Sequence, residues 1–389
     1  MTDYLKHHNA NIGGHFTTSQ TTASIIAETR KAYADFINAA RPDEIIFGPN
    51  MTSLTLNLSR SLARWLKAGD EIVVTHLDHD ANIAPWLLIA QDTGCTIRWV
   101  DFNTEDCTLN LNSLQLALEN HPKIVAVGYA SNAVGTINPI KKIVKMAHEA
   151  GALVYVDAVQ YAPHGPIDVQ QLECDFLVSS AYKYFGPHLG ILYGRFDLLE
   201  KLTAYKVRPA HDEPPYKFET GTANFEGIAG LLGALEYLEW IGKTFGDEQT
   251  EKFQGDYSGR KLIFKQAMNA IRAYEFEISR AFIETLSGIP DLNLFGIADV
   301  FRLEERVPTF SFTLKGWSPK EIAQSLSQAG IFVWDGNFYA LEVTKTLKLE
   351  DKGGLLRAGA VHYNTVEEIQ QFGKVVSELR KDRFERFLN

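Results

Sequence analysis

At 389 residues, 45% hydrophobic and 22% charged, the chain is long enough for two cored domains and has an ordinary globular composition. A net charge of −10 argues against nonspecific nucleic-acid binding. No apolar run approaches a membrane span, and the polar start from Met1 to His8 lacks a signal-peptide core. Cys95, Cys107 and Cys174 are too widely spaced for a disulfide framework or a zinc pattern, which reads as a reducing, cytoplasmic setting.

Residues 44–193 alternate apolar, β-branched runs with helical patterns. Residues 44–47 read as a strand and 52–67 as a helix, and 71–75 and 82–93 repeat the pair. Strands follow at 96–100 and 124–128. A helix over 139–150 has Asn138 as its N-cap, Pro139 in its first turn and Gly151 past its end. Strands at 153–157, 176–179 and 190–193 complete the set. Continuous apolar strands between helices predict an α/β fold with a mostly parallel sheet covered on both faces. Ligands of such sheets bind beyond the carboxyl ends of the strands. Residues 201–225 read as loop, 227–241 and 251–287 as helix. After Gly288-Ile289-Pro290 the pattern changes to short strands at 309–314 and 331–334 with a helix at 319–329. The expected division is a large domain over 1–245 and a smaller α+β domain over 246–389.

Two residues sit where such a sheet binds ligands. Asp157 ends one apolar strand, and Lys183 lies just past the next. Pyridoxal phosphate (PLP) chemistry needs that pair: the amine holds the cofactor aldehyde as a Schiff base, and the carboxylate keeps the pyridine nitrogen protonated. A buried carboxylate needs a cationic or donor partner, which a pyridinium supplies; capping the next helix is the competing use of Asp157. A lysine in a tight loop at a strand end is partly desolvated, which favours its neutral form. Gln160 either donates to the cofactor's phenolic oxygen or faces solvent. His79, after the strand at 71–75, either stacks on a flat cofactor or holds its loop. His76, Asp78 and Asp80 beside it form no clear ligand pattern, so no metal is expected.

Thr52 and Ser53 open a helix, where hydroxyls and free N–H groups make a phosphate site or plain caps. Ser180 and Gly221-Thr222 are further phosphate candidates. Asn132 either contacts cofactor or substrate carboxylate, or holds a turn. Arg357, among small and apolar residues, suits a bidentate carboxylate clamp or a structural ion pair. His15, Arg208 and His211 are weaker candidates for the substrate pocket, because they follow glycine- or proline-rich turns.

In this order the motifs resemble the class V aminotransferase family, and within it the cysteine desulfurase and selenocysteine lyase branch, over nearly the whole chain. The run from His79 to Trp86 is similar to the segment bearing the PLP-stacking histidine. Ser131-Asn132 with Gly135-Thr136 is similar to the asparagine turn. Asp157-Ala158-Val159-Gln160 and Ser180-Ala181-Tyr182-Lys183 resemble the pyridine-nitrogen acid with its glutamine and the serine–x–x–lysine motif. Glu219 to Asn224 resembles the segment that reaches the partner subunit's phosphate, and Arg357 the substrate-carboxylate arginine. The resemblance implies fold type I, PLP as cofactor, an amino-acid substrate and a homodimer with shared active sites.

Three departures qualify it. Tyr182 stands where these desulfurases have a phosphate-binding histidine, and a phenol still donates a hydrogen bond. Tyr339, in the segment from Trp334 to Ala340, stands where they carry the nucleophilic cysteine. By sequence Cys95 opens a strand in the core, Cys107 sits in a polar turn and Cys174 precedes a strand. Family members also carry a segment before His7, so the chain is expected to be truncated or to build its substrate site differently. The expected activity is cleavage of a C–S bond by β-elimination, because persulfide transfer needs a thiolate in the site. Transamination or epimerisation is the alternative. A PLP-binding protein without turnover is a third reading, against which an intact Lys183 and Arg357 argue.

Overall fold

The computed structural model describes residues 1–388. Seven strands form the larger sheet: β1 (Ile45–Gly48), β2 (Glu71–Thr75), β3 (Thr96–Val100), β4 (Ile124–Gly128), β5 (Leu153–Asp157), β6 (Phe176–Ser180) and β7 (Gly190–Gly194). Their order is β1-β7-β6-β5-β4-β2-β3. Every pairing from β3 through β6 is parallel, and only β7 runs against its neighbours. The strand order reverses between β2 and β4, which makes the carboxyl ends of these strands the natural ligand crevice.

The alternation of side chains divides the burial between two cores. Val73, Val125, Val127, Val154, Val156 and Leu177 enter one face, against residues of the helices Thr17–Phe36, Ile140–Glu149, Phe225–Phe245 and Gly259–Ser287. Ile72, Val74, Ile124, Ala126, Tyr155 and Val178 enter the other, against the helices Met51–Ala63 and Ala84–Thr93. Each such valine, leucine or isoleucine side chain contributes about 1.5–3 kcal/mol on removal from water. The smaller sheet is built from β8 (Leu292–Phe295), β9 (Thr309–Leu314), β10 (Trp334–Gly336) and β11 (Leu355–Gly359), all antiparallel. A third core lies between this sheet and its helices. The helix Gly259–Ser287 joins the cores: Phe264 and Met268 enter the first, Ile278 and Phe282 the third.

Several expectations are corrected here. Asn138 is not a helix N-cap; the cap of Ile140–Glu149 is Pro139, and the Asn138 amide donates instead to the Gly128 carbonyl at 2.8 Å, where β4 ends. The strand expected at 331–334 starts only at Trp334, since Ile331 to Val333 have no ladder partners. Cys95 is half-buried and not core, because β3 is the sheet edge and exposes alternate residues. Cys107 is fully buried despite its polar neighbours: a left-handed turn with φ of 54° folds it into the first core.

One turn ties the two sheets together. Gly135 has φ of 79°, and its carbonyl accepts from Val307 N at 2.8 Å. A Cβ there would lie 2.4 Å from the Thr309 carbonyl oxygen and 2.9 Å from that of Val307, both rigid backbone. Gly135→Ala is expected to cost about 1–3 kcal/mol or more through strain and overlap, read as a lowered thermal unfolding midpoint. An unchanged midpoint would show that the turn does not hold the sheets in register.

Candidate active site

A cavity of about 630 Å³ opens beyond the carboxyl ends of β2, β4, β5 and β6 and is closed on its far side by residues from β10, β11 and the loops between them. Thr52, His79, Asn132, Asp157, Gln160, Tyr182, Lys183 and Arg357 all line it.

Asp157 is the last residue of β5, paired across from Val178 of β6. Its Oδ1 accepts from Val159 N at 2.9 Å. Burial pushes the carboxyl up to about 6, against the pull of the Val159 hydrogen bond and the Lys183 charge. Lys183 lies in the short helix Ala181–Tyr184 that turns off the end of β6. Its amine has no hydrogen-bond or ion-pair partner among the described residues. Burial, and then the Arg357 charge, lower its pKa below the usual lysine range, with Asp157 opposing. The site therefore favours a neutral amine more than water does.

His79 follows β2, and its Nδ1 accepts from Ala81 N at 3.0 Å. Burial, with the Lys183 and Arg357 charges, takes its pKa down to about 4, so the ring is neutral near pH 7 and carries its proton on Nε2. Behind it Asp78 is buried, accepts from Gly128 N and Asn82 Nδ2 at 2.8 Å each, and is pushed up to about 7 mainly by burial. Sequence reasoning set Asp78 aside with the metal question; its proximity to Asp157 exists only once β2, β4 and β5 are laid side by side. Among the described residues no group of three or more histidine, cysteine or acidic side chains is arranged for a metal.

Asn132 and Arg357 join the two sides of the cavity. The Asn132 side-chain amide donates to the Phe338 carbonyl at 2.8 Å, and the Asn132 backbone carbonyl accepts from Arg357 Nη1 at 2.7 Å. The Arg357 guanidinium lies 4.3 Å from the centre of the Phe338 ring. Burial lowers its pKa to about 10, which leaves it cationic near pH 7. It has no carboxylate partner within the chain among the described residues. Gln160 donates to Thr309 Oγ1 at 3.0 Å, so one donor is already engaged with β9.

The phosphate candidates divide. Thr52 lines the cavity, at the start of a helix whose N-cap is Asn50, which accepts from Ser53 N at 2.8 Å. That cap escaped the sequence reading, which took Thr52 and Ser53 as the opening residues. Tyr182 also lines the cavity and stacks on His188 with ring centroids 5.1 Å apart. The Ser180 hydroxyl is buried just behind, with no hydrogen-bond partner among the described residues. Ser53, Gly221 and Thr222 lie elsewhere, in a separate cavity beside β1. Gly221 and Thr222 are exposed there, on a loop fixed by Glu219, which accepts from Phe47 N at 2.8 Å and from both Arg30 terminal nitrogens at 2.8 and 3.1 Å. His15, Arg208 and His211 are exposed and do not line the main cavity. Trp334, Phe338 and Glu350 line it and were not singled out from sequence.

These features fit PLP. A buried acid, a partly desolvated free amine, a neutral imidazole and the unpartnered Asn132 Oδ1 converge on one cavity, and a second unpartnered atom, Ser180 Oγ, is buried three residues before Lys183. The cysteines lie outside it. Cys107 and Cys174 are buried, and burial pushes the Cys107 thiol up to about 12 and raises that of Cys174 as well. Cys95 is beside β3 and contacts the Lys67 carbonyl at 3.4 Å.

Among the described residues, no helix is long and apolar enough to cross a membrane. The chain matches the family described as Aminotransferase class-V over residues 1–258 and 246–372. It is 32% identical to a cysteine desulfurase from Synechococcus elongatus over 98% of this chain and 58% of that protein, and so spans little more than half of that relative's length. It is 34% identical to the aminotransferase-like protein FGM3 of Gibberella zeae over 95% of this chain and 87% of that one. The fold superposes on the apo cysteine desulfurase of Thermococcus onnurineus with a TM-score of 0.85 and 28% identity, covering 98% of this chain and 90% of that structure. The chain thus belongs to the class V aminotransferase family of PLP-dependent enzymes, and is similar within it to the cysteine desulfurases.

Proposed function

We propose that the protein cleaves the Cβ–S bond of a sulfur amino acid by PLP-dependent β-elimination, releasing a sulfur species and, after hydrolysis, pyruvate and ammonia. The observation that carries this reading is Tyr339 in the cavity wall, with all three cysteines away from that cavity. Persulfide transfer needs a thiolate at the reacting sulfur. Elimination needs only a base at the α-carbon and an exit for the sulfur.

Bound PLP supplies an aldehyde for the substrate amine and a ring that accepts electron density from the α-carbon. Asp157 would hold the pyridine nitrogen in its protonated form. His79 would hold the ring, and Gln160, with one donor left, would serve the phenolic oxygen. Thr52, Ser180 and Tyr182 would bind the phosphate. Ser53 and the exposed Gly221-Thr222 loop serve a partner subunit's site, in a homodimer. Arg357, with Asn132, fixes the substrate carboxylate and so the position of the α-carbon. Lys183 Nζ would anchor the cofactor and, as a neutral amine, would take the α-proton. The absence of a predicted membrane-crossing run and the scattered cysteines support a cytoplasmic setting.

The test is the combined variant Cys95→Ser, Cys107→Ser, Cys174→Ser. Sulfur release from cysteine, cystine or an S-substituted cysteine is expected to stay within about threefold of the parent, since surface and core changes away from a site act mainly on stability. Loss of release in a variant that remains folded would restore a protein-thiol mechanism.

A further inference from the structure

The wall opposite Lys183 holds an unusual piece of backbone. Gly336, Phe338 and Tyr339 have φ of 112°, 56° and 58°. Glycine tolerates this region; two adjacent bulky aromatic residues in it are outliers. Such strain persists only where the surroundings impose it, and it concentrates at functional sites. Here the surroundings are the other side of the cavity. Asn132 Nδ2 donates to the Phe338 carbonyl at 2.8 Å, and Asp80 N donates to the Tyr339 carbonyl at 2.6 Å. Asn337 Oδ1 accepts from Tyr339 N at 3.1 Å.

The clamped backbone puts the Phe338 ring over Arg357 and the Tyr339 ring nearly parallel to His79, with centroids 5.7 Å apart and 19° between planes. The phenol side chain lines the cavity yet is 74% exposed, so it communicates with solvent. A substrate carboxylate on Arg357 fixes the α-carbon one bond from the β-carbon. Tyr339 follows Phe338, which covers Arg357, so its phenol shares one cavity with the group that would hold the substrate carboxylate.

We propose that Tyr339 donates the proton that the departing sulfur needs. This rests on the elimination reading above. The Cα–H pair becomes the Cα=Cβ bond as Lys183 takes the proton. The Cβ–S pair leaves on sulfur, the Tyr339 hydroxyl proton joins it as a thiol, and the phenolate recovers a proton from water. No oxidant or reductant is required. The neighbouring groups have roles of their own in that reading: Lys183 takes the α-proton, Arg357 the carboxylate, and Tyr182 the phosphate. His79 accepts from Ala81 N at Nδ1 and keeps its proton on Nε2, with its ring assigned to the cofactor face.

The test compares Tyr339→Phe with the parent, both PLP-loaded, on S-benzyl-L-cysteine and S-(4-nitrophenyl)-L-cysteine. The first leaves as a basic alkyl thiolate that needs the proton; the second leaves as a weakly basic aryl thiolate that does not. The expected result is about a 100-fold loss of kcat on the benzyl substrate and less than about fivefold on the nitrophenyl one, in the range of general acid catalysis. KM and the cofactor's absorbance change on binding should be preserved for both. Tyr339→His, which restores a donor, should recover part of the benzyl rate. Equal losses on both substrates, or none, would overturn the donor role and leave the elimination reading standing. Absence of pyruvate from either substrate with the parent enzyme would overturn both.

Discussion

Lys183→Ala is expected to abolish turnover and the change in cofactor absorbance on adding amino acid. The amine has no partner among the described residues and shares its cavity with a buried acid whose pKa is raised to about 6. Removing it deletes both the covalent anchor and the group that moves the α-proton. The proton-transfer part alone is worth about 10²–10⁴ in rate. In the cofactor-free protein thermal stability should not fall, because the buried, unpartnered amine is a cost that alanine relieves. The checks are spectral titration with amino acid and a stopped assay for pyruvate. A normal spectral response in the folded variant would remove Lys183 from the chemistry.

Arg357→Ala should act on binding. The guanidinium is cationic, cradled by Phe338 and Asn132, and lacks a carboxylate of its own chain among the described residues. Truncating one member of a buried charge pair costs about 2–5 kcal/mol, which is a rise in KM of about 30-fold or more. Arg357→Lys keeps the charge but loses the fork, so only part of the affinity should return. Some loss of kcat is expected too, because Arg357 also steadies the Asn132 carbonyl and thereby the Phe338–Tyr339 backbone. Steady-state kinetics on one substrate separates the two. An unchanged KM in Arg357→Ala would mean that the carboxylate is held elsewhere.

Much of this was legible in the sequence because parallel strands buried on both faces are written as continuous apolar runs. The strands bearing Asp157 and preceding Lys183 were of this kind, and so were the ends at which His79 and Asn132 sit. The smaller sheet was less legible. Residues 331–333 have the composition of a strand but no ladder to join, and β11 was read for its arginine and missed as a strand. The helix Thr17–Phe36 was also missed, because its serines and threonines dilute the apolar stripe that packs on Phe225–Phe245. The raised pKa of Asp78 and the strain at Phe338 and Tyr339 arise from tertiary neighbours. No local pattern announces a left-handed tyrosine, since that conformation is the habit of glycine and asparagine. The separation of Gly221-Thr222 from the main cavity likewise depends on which loops meet in space, although their motif was recognisable.

The most direct measurement is to incubate the PLP-loaded protein with L-cysteine, L-cystine and S-benzyl-L-cysteine and to quantify pyruvate, alanine and released sulfur. Pyruvate in step with the released sulfide, persulfide or thiol, with no alanine, is the predicted result for elimination without a protein thiol. Alanine formed in step with sulfur transfer would contradict it and return the protein to desulfuration through an acceptor outside the cavity wall.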